Sequence, residues 1–119
     1  MSFHLDHVQL PVAIGGLHEA RRFYRELIGL PEIRDGAPGQ LQFQLGSQRL
    51  RLAEGHYLGV APNAHLALQV DDLAPLRERL RGARVAVTSA TSAESDQLEV
   101  EDPFGNHIAF IAPRRAYRN

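Results

Sequence analysis

The feature that most constrains the fold is an internal repeat. Residues 4–12, HLDHVQLPV, place Val8, Leu10 and Val12 on one face of an extended chain and His7 and Gln9 on the other, the alternation of a half-buried strand. From 17 to 28, Leu17, Ala20, Phe23, Tyr24, Leu27 and Ile28 form one apolar helical stripe, with Gly29 placed to end it in a left-handed conformation. Pro31 starts a short segment to Arg34, DGAPG follows as a loop, and LQFQL (41–45) and RLRL (49–52) alternate around a Gly46-Ser47 turn. The second half repeats this order. HLALQV (65–70) reads as a strand. Asp72 is placed to cap a helix starting at Leu73, with Pro75 in its first turn and Gly82 at its end. RVAV (84–87) reads as a strand, TSATSAES as a loop, and QLEVE (97–101) as a strand; the DPFGN turn then leads to a last strand, HIAFI. His7 and His65 occupy the same place in the two first strands, 58 residues apart. One βαβββ unit used twice is the economical account.

At 119 residues the chain is expected to be a single α+β domain, 1–119, with the repeats at about 4–54 and 64–112. An apolar content of 44% and a charged content of 23% fit a packed core rather than disorder. No apolar run is long enough to span a bilayer, and residues 1–15 lack the pattern of a signal peptide, so a cytoplasmic protein without membrane partners is expected. There is no cysteine for thiolate chemistry, and all thirteen basic residues are Arg, which excludes a Schiff-base lysine. A net charge of −1 argues against nucleic acid. No Ser/His/Asp arrangement, phosphate-binding loop or dinucleotide fingerprint is visible.

Strand alternation divides the residues further. Val8, Leu10, Leu50, Leu52, Leu66, Leu68, Ile108 and Phe110 should face the helices. His7, Gln9, Gln42, Gln44, Arg49, Arg51, His65, Ala67, Gln69, His107 and Ala109 should line the opposite face, polar, biased to positive charge and without a carboxylate. Such a face suits a small anionic or hydrogen-bonding ligand, with Arg51 as the partner of a carboxylate or phosphate. The competing reading pairs Arg51 with Glu54, Glu99 or Glu101. His4, His18 and His56 read as surface residues, Arg21, Arg22 and Arg25 as a solvated helix face, and Tyr24 as core.

Three stretches, LDHVQLPV with ARRFYRELIGLPE, AHLALQVDDL, and DPFGNHIAFI, resemble the vicinal oxygen chelate superfamily, which includes glyoxalase I, extradiol dioxygenases and bleomycin-type resistance proteins. The resemblance covers residues 4–112. It implies two βαβββ units whose curled mixed sheets form a cleft, and a divalent metal held by the first and last strands of each unit. Two of those positions match, His7 and His65. The other two fall on Arg51 and Ala109. Arg cannot ligate, and at ~5 Å and an effective dielectric of ~20 its charge opposes a cation by roughly 3 kcal/mol. A divalent metal held weakly by His7 and His65 is one expectation, with His107 as a substitute ligand; no metal at all is the stronger one. An enzyme of this kind would be a lyase, isomerase or dioxygenase. Without metal, His7 or His65 would act as general base and Arg51 would stabilise an oxyanion, with Gln9, Gln42, Gln44, Arg49, Gln69 and His107 contacting ligand. A non-enzymatic protein that sequesters a drug or metabolite is the alternative. A homodimer is expected in either case.

Overall fold

The computed structural model describes residues 1–34, 37–55 and 65–114. Asp35, Gly36 and His56 therefore lie outside the described residues. The chain forms two compact units, Met1–Pro62 and Asn63–Asn119, and both follow the βαβββ plan of an α+β fold.

In the first unit, β1 (Val8–Ala13) is followed by α1 (Leu17–Arg21), a π-helical segment (Arg22–Ile28), β2 (Glu32–Ile33), β3 (Gln40–Leu45) and β4 (Gln48–Gly55). The sheet order is β1-β4-β3-β2, with β1 parallel to β4 and the other pairs antiparallel. A parallel pair needs a crossover connection, and the helix supplies it. β1 is an edge strand, which tolerates Pro11 and its missing N–H. The register aligns Leu10 with Leu52 and Leu41, and Val8 with Leu50 and Phe43. These rows are largely buried; α1 packs against β1, β3 and β4, and the Tyr24 ring lies 6.1 Å from that of Phe43. Each such large side chain contributes ~1.5–3 kcal/mol by leaving water.

The helix is not the uniform α-helix that its periodicity predicts. It widens at Arg22 into π winding, and this brings Phe23, Tyr24 and Ile28 to the buried side together. Phe23 and Tyr24 meet edge to face, with centroids 5.1 Å apart. Gly29 ends the helix at φ 93°, the left-handed cap expected of it. Arg21 is not merely solvated: its Nε and Nη2 donate to the two oxygens of Glu32 at 2.9 and 2.8 Å, which ties helix to β2. That bond and the Arg21 charge hold the Glu32 carboxyl below its ordinary range against the opposing effect of burial.

In the second unit, β5 (His65–Gln69), α2 (Ala74–Gly82), β6 (Thr88–Thr91), β7 (Ser95–Glu101) and β8 (His107–Pro113) form a sheet of order β5-β8-β7-β6, with β5 parallel to β8. Leu73, Leu76, Leu80, Leu98, Val100, Ile108 and Phe110 are buried. The helix starts at Ala74, one residue later than expected, and Asp72 Oδ1 accepts the Ala74 N–H at 3.1 Å. RVAV is not a strand. Arg84 takes φ 60° and the Val85 N–H bonds Leu80 O, so these residues complete the helix exit. The strand lies instead at Thr88–Thr91, within the expected loop, paired to β7 along the sheet's edge. All four of its residues are exposed, so it carries no alternation of hydrophobicity to read. The DPFGN turn is braced from within: Asp102 Oδ1 accepts the N–H groups of Phe104 and Asn106, both at 2.8 Å, and Asp102 Oδ2 accepts an N–H of Asn106 Nδ2 at 2.9 Å.

Candidate functional site

The polar face of the first sheet is built by its register. Gln9, Arg51 and Gln42 stand in one row across β1, β4 and β3, and Arg49 and Gln44 form the next row, with His7 one residue before β1. Cross-strand partners point to the same side of a sheet, so all of these share the face opposite Leu50 and Leu52. Gln42 is buried, Arg51 half-buried, and Gln9 and Arg49 are exposed. Gln44 is engaged locally, donating from Nε2 to the carbonyls of Gly46 at 2.7 Å and Gln48 at 3.2 Å. Arg51 enters no ion pair among the described residues. Its Nε is shielded from solvent and has no hydrogen-bond partner among the described residues. Glu54, one of its expected partners, instead accepts the Gly15 N–H at 2.6 Å and steadies the loop after β1.

Asp6 joins this face, although alternation did not single it out. Its Oδ2 lies 2.9 Å from His7 Nδ1. The hydrogen bond to His7 and the charge of that ring, assisted by Arg49 and Arg51, hold the Asp6 carboxyl below its ordinary range. The signal in the sequence is the adjacent Asp-His pair itself, a carboxylate able to orient an imidazole.

The second sheet presents a different surface. Its rows are His65–His107–Glu101, Ala67–Ala109–Glu99–Thr88 and Gln69–Ile111–Gln97–Ala90. The expectation of a lining without carboxylates is thus corrected. Leu98 and Val100 are buried, so the intervening Gln97, Glu99 and Glu101 take the same side as the histidines. QLEVE contained that information in its alternation. The rings of His65 and His107 stack with centroids 4.8 Å apart and planes 14° from parallel. His107 Nδ1 lies 3.8 Å from Glu99 Oε1, an ion-pair rather than a hydrogen-bond distance. An open depression of about 450 Å³ adjoins Ala67, Gln69, Ile111, Pro113, Ser95 and Glu94 at the other end of these strands. A second cavity of about 420 Å³, lined by Asp71, Asp72, Arg77, Asp96 and Arg114 among others, lies at the start of α2 with mixed charge.

Two four-stranded mixed sheets, each from one βαβββ module with a matched histidine at its first strand, define the class. The chain belongs to the Glyoxalase/Bleomycin resistance protein/Dioxygenase superfamily, whose family model matches residues 4–110. A glyoxalase family protein from Bacillus anthracis is 28% identical, covering 96% of this chain and 98% of its own, with a TM-score of 0.83. TnmS3, an antibiotic-binding protein from a Streptomyces species, is 25% identical over 95% of this chain and 98% of its own, with a TM-score of 0.77. A lactoylglutathione lyase from Agrobacterium tumefaciens shares the fold at 19% identity, over 93% of this chain and 94% of its own, with a TM-score of 0.73. No curated protein matches the chain. No helix among the described residues is long and apolar enough to cross a membrane.

Members of the superfamily usually bind a divalent metal. The residues of this chain do not fit a resident one. At the positions where the sequence resemblance expects ligands, Arg51 carries a positive charge and Ala109 no donor, and His7 faces Asp6. Among the described residues no group of three or more His, Asp or Glu side chains is arranged to hold a metal ion.

Proposed function

We propose that this chain binds a small anionic molecule on the polar face of its first sheet, with Arg51 as the anchor and no resident metal. The observation that carries this reading is the unpaired, half-buried Arg51 guanidinium in the Gln9–Arg51–Gln42 row, with Arg49 in the next row. An unsatisfied buried N–H costs ~1–3 kcal/mol, and a small rotation toward a bound acceptor relieves it. A carboxylate, phosphate or phosphonate takes charge-assisted hydrogen bonds from a guanidinium, and neighbouring amides of Gln9 and Gln42 extend recognition to uncharged oxygens. TnmS3, at 25% identity, is an antibiotic-binding protein, which supports a binding role.

An enzymatic version of the same site has one specific observation in its favour. His7 is paired to Asp6 through Nδ1, which leaves Nε2 as the basic nitrogen, on the face that also carries Arg51. A carboxylate-oriented imidazole beside a guanidinium can remove a proton while the cation stabilises the oxyanion that forms. That is isomerase- or lyase-type chemistry without metal, with His7 as base and Arg51 as oxyanion partner; His65 belongs to the other unit's face and is not needed.

Calorimetric titration with citrate and inorganic phosphate tests the shared premise. Arg51→Ala should weaken binding by roughly tenfold to a hundredfold, and rising salt should weaken it further. Equal affinity in the variant, or no binding to the intact protein, overturns the Arg51 site. His7→Gln leaves the anion anchor in place, so both readings expect its affinity to persist.

A further inference from the structure

We propose that the ligand of the first sheet's polar face is a linear diacid, with one acid group on Arg51 and the other on Arg49. The inference rests on the Arg51 reading and names the class of molecule that this site takes.

The spacing comes from the strand. Arg49 and Arg51 are two residues apart on β4, so their side chains leave the same face of the sheet about 6.6–6.8 Å apart along the strand. Two guanidiniums of like charge repel when they converge on one small anion. A molecule with an acid group at each end engages both at their natural spacing. Neither guanidinium has an ion-pair partner among the described residues.

The two ends of the site differ. Arg51 is half-buried with its Nε shielded, and Arg49 is exposed. Gln9 adds an exposed amide to the Arg51 row, whereas Gln44, in the Arg49 row, commits its Nε2 to the carbonyls of Gly46 and Gln48. The Arg51 end can therefore hold a carboxylate by charge and amide together. The Arg49 end offers its guanidinium, which favours a charged group over a neutral oxygen. On the far side of the Arg51 row the face continues as Pro11–Ala53–Gln40, without charge. The second acid group thus has one direction to take, toward Arg49.

Asp6 reports the same field. Its carboxyl is held low by the hydrogen bond to His7 first, and also by the charges of Arg49 and Arg51. It is bonded to His7 Nδ1 at 2.9 Å and to neither arginine. One carboxylate therefore stands against two guanidiniums, and a positive surplus is left for a ligand.

The test follows amide NMR spectra of the isotope-labelled full chain during titration with adipate, hexanoate and malonate at constant pH and ionic strength. Adipate carries an acid group at each end of four methylenes and can reach from one arginine to the next. Hexanoate keeps that length with a single acid group, and malonate keeps both acid groups but holds them one carbon apart. Adipate should bind at least about fivefold tighter than either. Arg49→Ala should remove that advantage while changing hexanoate affinity less than about twofold. Arg51→Ala should weaken all three ligands, and the spectra themselves show that each variant is folded. Equal affinity for adipate and hexanoate, malonate binding as tightly as adipate, or an Arg49→Ala loss of the same size for hexanoate would overturn the diacid and leave the Arg51 anchor standing. Failure of all three ligands to bind, or indifference of all three to Arg51→Ala, would overturn the anchor and the diacid with it.

Discussion

The two units share a chain order and a sheet order, yet their polar faces carry opposite chemistry. The first offers Arg49 and Arg51 beside His7; the second offers Glu99 and Glu101 beside a stacked histidine pair. Their apolar faces are interchangeable in kind: Leu10, Leu50, Leu52 and Phe43 in one, Leu98, Val100, Ile108 and Phe110 in the other. The difference teaches where the fold is specified. Burial of one parity of each strand fixes the module, and the other parity is left open to ligand chemistry.

The strongest way to break that comparison is to attack the shared parity. Phe43 and Phe110 are both fully buried, and Phe→Ala at either site should cost about 3–5 kcal/mol in urea unfolding. A large loss in one unit with a negligible loss in the other would show that the two cores are not equivalent. Next in size is an exchange on the open parity. Arg51→Glu combined with Ala109→Glu supplies carboxylates at the two positions where the sequence resemblance expects ligands. Zinc, nickel or manganese affinity should rise by at least about a hundredfold, roughly 2.7 kcal/mol. A folded double variant with no gain would show that these are not the corresponding positions.

Smaller effects sharpen the contrast in ion pairing. The Glu32 side chain is only 4% exposed and pairs with Arg21, whereas Glu78 and Arg81 are 67% and 70% exposed. Glu32→Gln should cost on the order of 1–2 kcal/mol, between the values for exposed and buried pairs, with the partly exposed Arg21 reducing the loss. The folded-state pKa of Glu32 is depressed, so its contribution is present above the unfolded value of about 4.3 and disappears as pH falls through the lower folded value. Urea midpoints at pH 7 and pH 3 should therefore converge between parent and variant at the acid end; a constant difference would assign the effect to packing. Glu78→Gln should change stability by less than about 0.5 kcal/mol.

The fold was legible because alternation and the helical stripe report burial directly. Gly29, the Gly46-Ser47 turn and both first strands follow from that pattern. What escaped it has physical causes. The π winding after Arg22 keeps Phe23, Tyr24 and Ile28 of the stripe buried, so periodicity cannot distinguish it sharply from α winding. β6 is exposed throughout and has no buried parity, while RVAV alternates but is broken by the positive φ of Arg84. At the candidate site, membership of a face could be read and engagement could not. Gln44 is committed to its own hairpin, and Asp6 is drawn to His7 by adjacency rather than by strand parity. The stacking of His65 on His107 depends on parallel register, which requires knowing that β5 and β8 are neighbours.

The DPFGN turn carries a consequence for recognising relatives of this chain. The Asp102 carboxylate accepts three hydrogen bonds from within those five residues, two from backbone N–H groups and one from Asn106. Such bonds stabilise a corner of the polypeptide. The string is therefore a signpost of shape: chains that share it are expected to share a bend, whatever their strands carry beyond it.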